Sequence, residues 1–536
     1  MRMNLAEIAL SLGCLPEAIL WRDGSGNASG AGPDSAPSAF ADPLPQPRGG
    51  AESGIVFPFE EHYTFLNDVA PWAAIVPTGA SMDSRTVKPG NLFFCLAGER
   101  VDGHDFALAA AKAGACAIIA SRNPFWNLDR DSETGLQLPP VFLVKEPLNA
   151  LWRLAICHRD TTMARVIGVT GTAGKTSVKE VLAQILSLRG HTERNPMNLN
   201  NQIGLPLSML NASADALFWV MEAGISEARD MDELGRILRP DTALILNVGK
   251  AHMVGLGERG VAANKALLLD YIQPGGVAAV SADYPDLQEE VEKRADRFAD
   301  IGLDLADFST VSQKAFAWAE YLGSGPDLAG QYRVIVDGQD CIVHTCFRGD
   351  FGSENVAAIA AVAVKMGLTT QEIIQGFARA TLPNQRFNCR RYNGFTVVDD
   401  SYNANPLSSA RMIHACRSMA GESGQPLFLV MGEMLELGDI AEEAHEELGQ
   451  RMAEAAPETV FWKGGHADAV LRGLRRAGYA KGFYPVGGGQ DFSLLLEELE
   501  PKSGLFLFKG SRRNNLERLV DILRDRVAPA GETDAL

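Results

Sequence analysis

Residues 165–180 limit the folds open to this chain more than any other stretch. Arg165-Val166-Ile167-Gly168-Val169-Thr170 reads as a buried strand, Gly171-Thr172-Ala173-Gly174 as a turn, and Lys175-Thr176-Ser177 as the start of a helix with Val178, Val181, Leu182 and Ile185 on one face. Strand, glycine turn and helix in that order make a cradle for phosphate. Glycines let backbone N–H groups converge with no Cβ between them, and the helix N-terminus adds partial positive charge. In such a loop the backbone from Gly171 to Ser177 wraps the anion, Lys175 reaches its terminal phosphates and the Thr176 hydroxyl ligates Mg²⁺. The match to G-x-x-x-x-G-K-[ST] is near rather than strict: the template asks for glycine at 169, where Val169 stands beside Gly168. A glycine-rich turn carrying an exposed lysine is the plainer alternative, and the flanking strand and helix weigh against it.

A phosphate turn of this kind belongs to a parallel α/β sheet, whose ligands collect at the carboxyl ends of the strands. Residues 217–222 read as a second buried strand ending on Glu222, and residues 243–248 as a third leading into Gly249-Lys250-Ala251-His252. Glu222 and His252 therefore emerge on the edge that carries Lys175 and Thr176, as further candidates for Mg²⁺. Between these strands, residues 195–206 crowd asparagines beside glycine and proline, the composition of a shaped, hydrogen-bonding loop. Lys265 sits in an apolar helix over 261–269 with no obvious partner, and composition alone reads it as facing solvent.

Beyond residue 383 strands at 395–399, 427–431, 459–462 and 505–508 alternate with helical segments, the pattern of a second open parallel sheet. Their ends are rich in chemistry: Asp399-Asp400-Ser401-Tyr402-Asn403-Ala404-Asn405-Pro406, then Gly432-Glu433-Met434, then Lys509-Gly510-Ser511-Arg512. An aspartate pair can hold a ribose or order a basic group, and Lys509 and Arg512 can hold an anion. At the other end of the chain, from residue 75, short strands alternate with two polar loops, Ser81-Met82-Asp83-Ser84-Arg85 and Gly98-Glu99-Arg100-Val101-Asp102-Gly103-His104. Each loop alone is an ordinary turn; two beside one small sheet make a ligand site. Residues 270–350 read as mixed sheet and loop without recognisable chemistry.

The chain is expected to be an α/β protein of three domains: a small mixed α/β domain over 1–146, a central P-loop ATPase-like parallel sheet over 147–383, and a C-terminal Rossmann-like domain over 384–536. Residues 23–54, rich in Gly, Ser, Ala and Pro, read as a flexible insertion in the first of these. A net charge of -18 argues against sequence-independent nucleic-acid binding, so anionic ligands need local basic pockets. Eight scattered cysteines without a C-x-x-C pair point to reduced thiols in a cytoplasmic protein. The N-terminus lacks the apolar core of a signal peptide, and no stretch suits membrane insertion.

Together these motifs resemble the Mur ligase superfamily. The resemblance rests on Gly171 to Thr176, Glu222-Ala223-Gly224, Asn247-Val248 with His252, and Asn384-Gln385-Arg386-Phe387; the asparagine loop and the three C-terminal strand ends resemble the branch that adds D-alanyl-D-alanine to UDP-N-acetylmuramoyl-tripeptide. The resemblance implies an ATP-dependent amide ligase acting through an acyl phosphate, a monomer with small-molecule substrates. It implies that Ser81, Asp83, Ser84, Arg85, Gly98, Glu99 and Arg100 hold the UDP end, and that Asn355, Arg386 and Asp400 contact the nucleotide. It further implies that Asn200, Asn201, Tyr402, Asn403, Asn405, Lys509, Ser511 and Arg512 face substrate. Lys175, Lys265 and His252 are the implied catalytic residues, and Thr176, Glu222, His252 and a carbamylated Lys265 the Mg²⁺ site. The chain departs from the pattern at Glu354, where the family often has His, and at Gln385, where it usually has Gly. Another ligase of the superfamily, folylpolyglutamate synthase, or a nucleotide-binding scaffold without activity are the alternatives.

Overall fold

The structure, a computed structural model, describes residues 2–13, 16–17, 74–98, 100–126, 138–249, 260–325 and 328–528. The expected insertion at 23–54 lies outside them. The chain forms two compact units, Met1–Met163 with Pro206–Asp215, and Ala164–Leu205 with Ala216–Leu536.

The first unit carries a five-stranded sheet in the order Pro16–Glu17, Val141–Leu143, Ala117–Ala120, Asn91–Phe94, Gly79–Ser81. All its pairings are parallel except the first. Leu92, Phe93, Ile118, Ile119, Val141 and Phe142 are fully buried, as short apolar runs covered on both faces must be. The helix Leu5–Leu12 starts on a capping box between Asn4 and Glu7 and stops at Gly13, whose φ of 67° is left-handed. The helix Pro147–Thr161 packs on it and on the sheet. Asn211 explains why Pro206–Asp215 belongs here: its amide brackets Ala80, accepting from the backbone N–H at 3.0 Å and donating to the carbonyl at 2.9 Å.

In the second unit an all-parallel sheet runs Asp304–Leu305, Val277–Val280, Thr242–Ile245, Arg165–Thr170, Phe218–Glu222, Thr192–Arg194. The strand Arg165–Thr170 lies between Thr242–Ile245 and Phe218–Glu222, and Val169 is level with both Glu222 and Leu244. The phosphate turn therefore leaves the sheet at its middle, where strand order changes direction and a crevice opens. A second sheet of Phe308–Ser309, Ala317–Ser324, Gly330–Val336 and Gln339–Thr345 is largely antiparallel. The helix Gly352–Lys365, buried all round, is sandwiched in the core these sheets share.

The third sheet of this unit runs Asn388–Tyr392, Phe395–Asp400, Gly504–Lys509, Leu427–Gly432, Thr459–Lys463, Gly482–Pro485, parallel except for its first pairing. Its four inner strands are those the sequence predicts, one or two residues longer. The outer two are not readable as strands: Asn388–Tyr392 carries Arg390 and Arg391, and Gly482–Pro485 ends on proline, so neither has the apolar run of a buried strand. The helix expected over 261–269 is α-helical over Gly260–Ala266 and continues as a 3-10 turn, Leu267–Tyr271. Among the described residues no helix is long and apolar enough to cross a membrane.

Candidate active site

The phosphate loop is shaped from below by Asn247. Its Oδ1 accepts from the backbone N–H of Thr172 at 3.0 Å and of Ala173 at 2.8 Å, while its Nδ2 donates to Ala173 O at 3.1 Å. The amides of the first turn of the helix Lys175–Leu186 have no intrahelical partner and remain for an anion. Gly174 enters that helix at φ 84°, and a Cβ there would lie 2.8 Å from Asn355 Oδ1. This position requires glycine for both backbone and space. Among the described residues Asn355 Oδ1 is a buried acceptor without a partner, aimed at the loop. Lys175 folds back and donates to Gly171 O at 2.9 Å.

Beside the loop, Thr176 donates its hydroxyl to Glu222 Oε2 at 2.9 Å, and Asn200 donates to Glu222 Oε1 at 2.7 Å. Glu222 is 2 % exposed, and the Lys179 ammonium lies 4.0 Å from its Oε2. Lys179 is fully buried, donating to Asn195 O and Met197 O and pairing with Glu180 at 3.1 Å, so it also fastens the asparagine loop. A hydroxyl and a carboxylate are hard oxygen donors and fit Mg²⁺, which takes one or two protein oxygens and completes its shell with water and phosphate. Among the described residues no group of three or more His, Cys, Asp or Glu forms a closed cage.

Lys265 is buried beside this pair and not, as composition suggests, in solvent. Burial and then the Lys175 charge drive its ammonium well below the ordinary lysine value, with Glu222 opposing. Burial likewise lowers Lys175; Glu222 pulls it up and Arg386 pushes it further down. Around Glu222 the site gathers Lys175, Lys179, Lys265 and Arg386, a balance that favours an added anion.

The C-terminal strand ends close over the loop. Asn405 caps the helix Pro406–Ser423 through Ser408 N at 2.8 Å and donates its Nδ2 to Thr172 O at 3.2 Å. Arg386 reaches Thr176 Oγ1 at 3.4 Å, and its guanidinium lies 4.2 Å above the Tyr402 ring, with Arg512 at 5.9 Å. Arg512 donates to Gln385 Oε1 at 3.1 Å. Gln385 has a φ of 61°, the left-handed conformation in which glycine costs least, the physical sense of the glycine the resemblance implies there. Asp400 and Lys509 are spent on each other: Lys509 donates to Asp400 Oδ2 at 2.6 Å and to Asn403 O at 2.9 Å, and Phe387 N donates to Asp400 Oδ1 at 3.0 Å. Asn403 also accepts from Ala404 N at 2.9 Å, and Ser511 Oγ accepts from Leu435 N at 2.9 Å. Asn201 caps the helix Gly204–Asn211 through Gly204 N at 2.8 Å.

In the first unit Ser81 Oγ donates to Asp83 O at 2.9 Å and lies 3.0 Å from Thr86 Oγ1. Asp83 is held at about 2 by the Arg85 guanidinium and backbone N–H. Arg85, Gly98 and Arg100 are exposed and Ser84 half-buried, leaving a polar rim at the ends of strands Gly79–Ser81 and Asn91–Phe94. Glu99 and His252 lie outside the described residues.

Four features of the site are not among the residues that the sequence singles out. Asn247 appears there only as a motif letter, although it builds the loop. Lys179 is legible as a lysine inside an apolar helical face, one turn after Lys175. His104, buried and bonded to Asp102 at 2.6 Å, orders the second polar loop through Ser121 N at 3.1 Å. The fourth is a cluster of buried Glu354 with half-buried Tyr284 and Arg411, three residues far apart in the chain, for which no local signal exists.

Comparison with known proteins agrees with this geometry. Three family descriptions match: the Mur ligase middle domain over residues 169–363, the Mur ligase glutamate ligase domain over 385–510, and the Mur ligase family catalytic domain over 77–140. The chain is 30% identical to a UDP-N-acetylmuramoyl-tripeptide--D-alanyl-D-alanine ligase of Bacillus subtilis, with 82% of this chain and 92% of that protein covered. A crystal structure of MurF from Acinetobacter baumannii superposes with a TM-score of 0.71 at 28% identity, covering 83% of this chain and 93% of the other. MurF from Thermotoga maritima in complex with ADP gives 0.70 at 28% identity, covering 84% and 97%.

Proposed function

The chain belongs to the Mur ligase family, and from that premise we propose that it joins D-alanyl-D-alanine to the terminal carboxylate of UDP-N-acetylmuramoyl-tripeptide at the expense of ATP, giving the pentapeptide precursor of peptidoglycan, ADP and phosphate. The observation that carries this reading is the meeting of two strand-end clusters over one phosphate loop: Arg386 beside Thr176, and Asn405 on Thr172.

A carboxylate resists attack by an amine because it is negatively charged and has no good leaving group. Transfer of the ATP γ-phosphoryl group to it forms an acyl phosphate and releases ADP. The dipeptide amine then adds to the acyl carbon, loses a proton, and phosphate departs with the bonding pair. The residues act on charge and position. Backbone amides from Gly171 to Ser177 hold the phosphates, and Lys175 exchanges Gly171 O for the oxygens of the transferred group. Arg386, beside Thr176, adds a second positive charge for the same oxygens. Mg²⁺, when bound by Thr176 and Glu222 with His252 and a carbamylated Lys265, supplies further neutralisation of the phosphoryl charge. Lys265 suits carbamylation because its buried amine is biased to the neutral form that takes up CO₂, and Lys175 offers the product a counter-charge. Asn355 offers its unpaired Oδ1 to a nucleotide donor.

The polar rim of Ser81, Asp83, Ser84, Arg85, Gly98 and Arg100 holds the UDP end, and Glu99 is assigned the same role. Asn200, Asn201, Tyr402, Asn403, Asn405, Ser511 and Arg512 shape the acceptor side, with Asp400 and Lys509 bracing it by their buried pair. Residues 1–146, 147–383 and 384–536 serve as sugar-nucleotide, ATP and closing domains of a cytoplasmic monomer. Closure excludes water, which would otherwise hydrolyse the acyl phosphate.

Phosphate release from ATP, measured with the UDP-tripeptide and a panel of acceptors, tests the assignment. Release with D-alanyl-D-alanine alone is expected. Release with single amino acids, or with a folate and glutamate, overturns it.

A further inference from the structure

Glu354 is 4 % exposed at the start of the helix Gly352–Lys365, and among the described residues its side-chain partners come from other elements of the second unit. Its Oε2 accepts from Asn247 Nδ2 at 2.7 Å and from an Arg411 nitrogen at 2.8 Å; its Oε1 accepts from the Tyr284 hydroxyl at 2.7 Å. Arg411 donates also to Tyr284 Oη at 2.8 Å, closing a triangle. Burial and the Glu354 charge raise the Tyr284 phenol, so it stays protonated and remains a donor.

The direction of these bonds matters. Glu354 offers acceptors only, so the amide of Asn247 must turn its NH₂ toward Glu354 and its Oδ1 toward the loop. That orientation is the one in which Oδ1 receives the N–H groups of Thr172 and Ala173. Reversed, the amide would set donor against donor and the turn would lose its support. Yet a carboxylate beneath a phosphate loop is costly: buried charge needs a partner, and a bare negative charge there repels the phosphates. Arg411 is that partner. It lies on the helix Pro406–Ser423, the helix whose N-cap Asn405 holds Thr172 O at 3.2 Å. One helix thus holds the Thr172–Ala173 turn at two points, directly through Asn405 and indirectly through Arg411, Glu354 and Asn247.

We infer that Glu354 and Arg411 are positioning residues for nucleotide binding: Glu354 sets the Asn247 amide that shapes the phosphate loop, and docking of the helix Pro406–Ser423 brings the arginine that makes this carboxylate tolerable beside phosphate. Assembly of the C-terminal domain onto the central one is thereby a condition for a competent loop. The inference rests on the ligase reading of the loop and adds a coupling to it.

The test is a double-mutant cycle in the full chain, read as KM for ATP, KM for D-alanyl-D-alanine and kcat, with thermal melting of each variant. Arg411→Met leaves the carboxylate unpaired, and KM for ATP is expected to rise on the order of tenfold or more while KM for the dipeptide changes little. Glu354→Gln keeps an acceptor for Asn247 without the charge and is expected to give a smaller rise. The double variant Glu354→Gln with Arg411→Met is expected to bind ATP better than Arg411→Met alone, and Arg411→Lys to recover part of the loss. Additive losses in the double variant, or equal losses for ATP and dipeptide, overturn the inference. Wild-type turnover in the same assay tests the ligase reading separately.

Discussion

The side-chain amide of Asn405 donates to the carbonyl of Thr172 across 3.2 Å, joining the residue that caps the helix Pro406–Ser423 to the turn of the phosphate loop. Two roles meet in one side chain: its Oδ1 caps the helix and its Nδ2 holds the loop. Asn405→Asp separates them, since aspartate caps as well but has no hydrogen to give. The expected outcome is a melting temperature close to wild type with a raised KM for ATP. Asn405→Ala loses both functions and should also cost about 1 kcal/mol of stability. Chemical denaturation with nucleotide kinetics checks the pair; an unchanged KM in Asn405→Asp would show that the loop contact is idle.

Gly174→Ala combines a left-handed φ of 84° with a Cβ 2.8 Å from Asn355 Oδ1. The backbone strain alone is about 1–3 kcal/mol, and relief requires moving either the loop or Asn355. ATP binding, followed by calorimetry, is expected to be lost while the fold survives. Wild-type affinity would mean that the turn tolerates the added carbon.

Lys265→Ala removes the buried amine that sits near Lys175 and Glu222. Activity should fall by at least about a hundredfold, the scale of losing one charge-stabilising group at a reacting centre. Short carboxylic acids added to the assay should restore part of it by standing in for a carbamate. Absence of any recovery, with ATP still bound, would remove the carbamate from the proposal.

Asp83 sets a pH dependence in the first unit. Its folded value, about 2, lies below the ordinary 3.8, chiefly through hydrogen bonds from Arg85. A depressed carboxylate contributes stability that is complete above 3.8 and disappears as pH falls toward 2. Arg85→Ala should return the Asp83 titration toward 3.8, as followed by NMR of its carboxyl carbon. A titration that does not move would show that the guanidinium does not hold the carboxylate.

The phosphate loop and the four inner C-terminal strands were legible in the amino-acid order because each is a local pattern: an apolar run, a glycine turn, a helix start. Such patterns depend on windows of about a dozen residues, and the structure keeps them almost unchanged. The same locality hid the edge strands, whose charged or proline-bearing sequences look like loops until a neighbour pairs with them.

By itself, then, the sequence determined the α/β class, the strand, turn and helix of the phosphate loop, and the chemical groups at each strand end. The tertiary structure alone decided which of those groups are free to meet a ligand. It paired Asp400 with Lys509, buried Lys265 beside Lys175, and joined Glu354 to Asn247, Tyr284 and Arg411, which stand 107, 70 and 57 positions away along the chain. Periodicity reports which face of an element is apolar, but a buried charge finds its partner only when separate elements pack, and that packing is the step that turns a lysine or a glutamate into bracing, counter-charge or ligand.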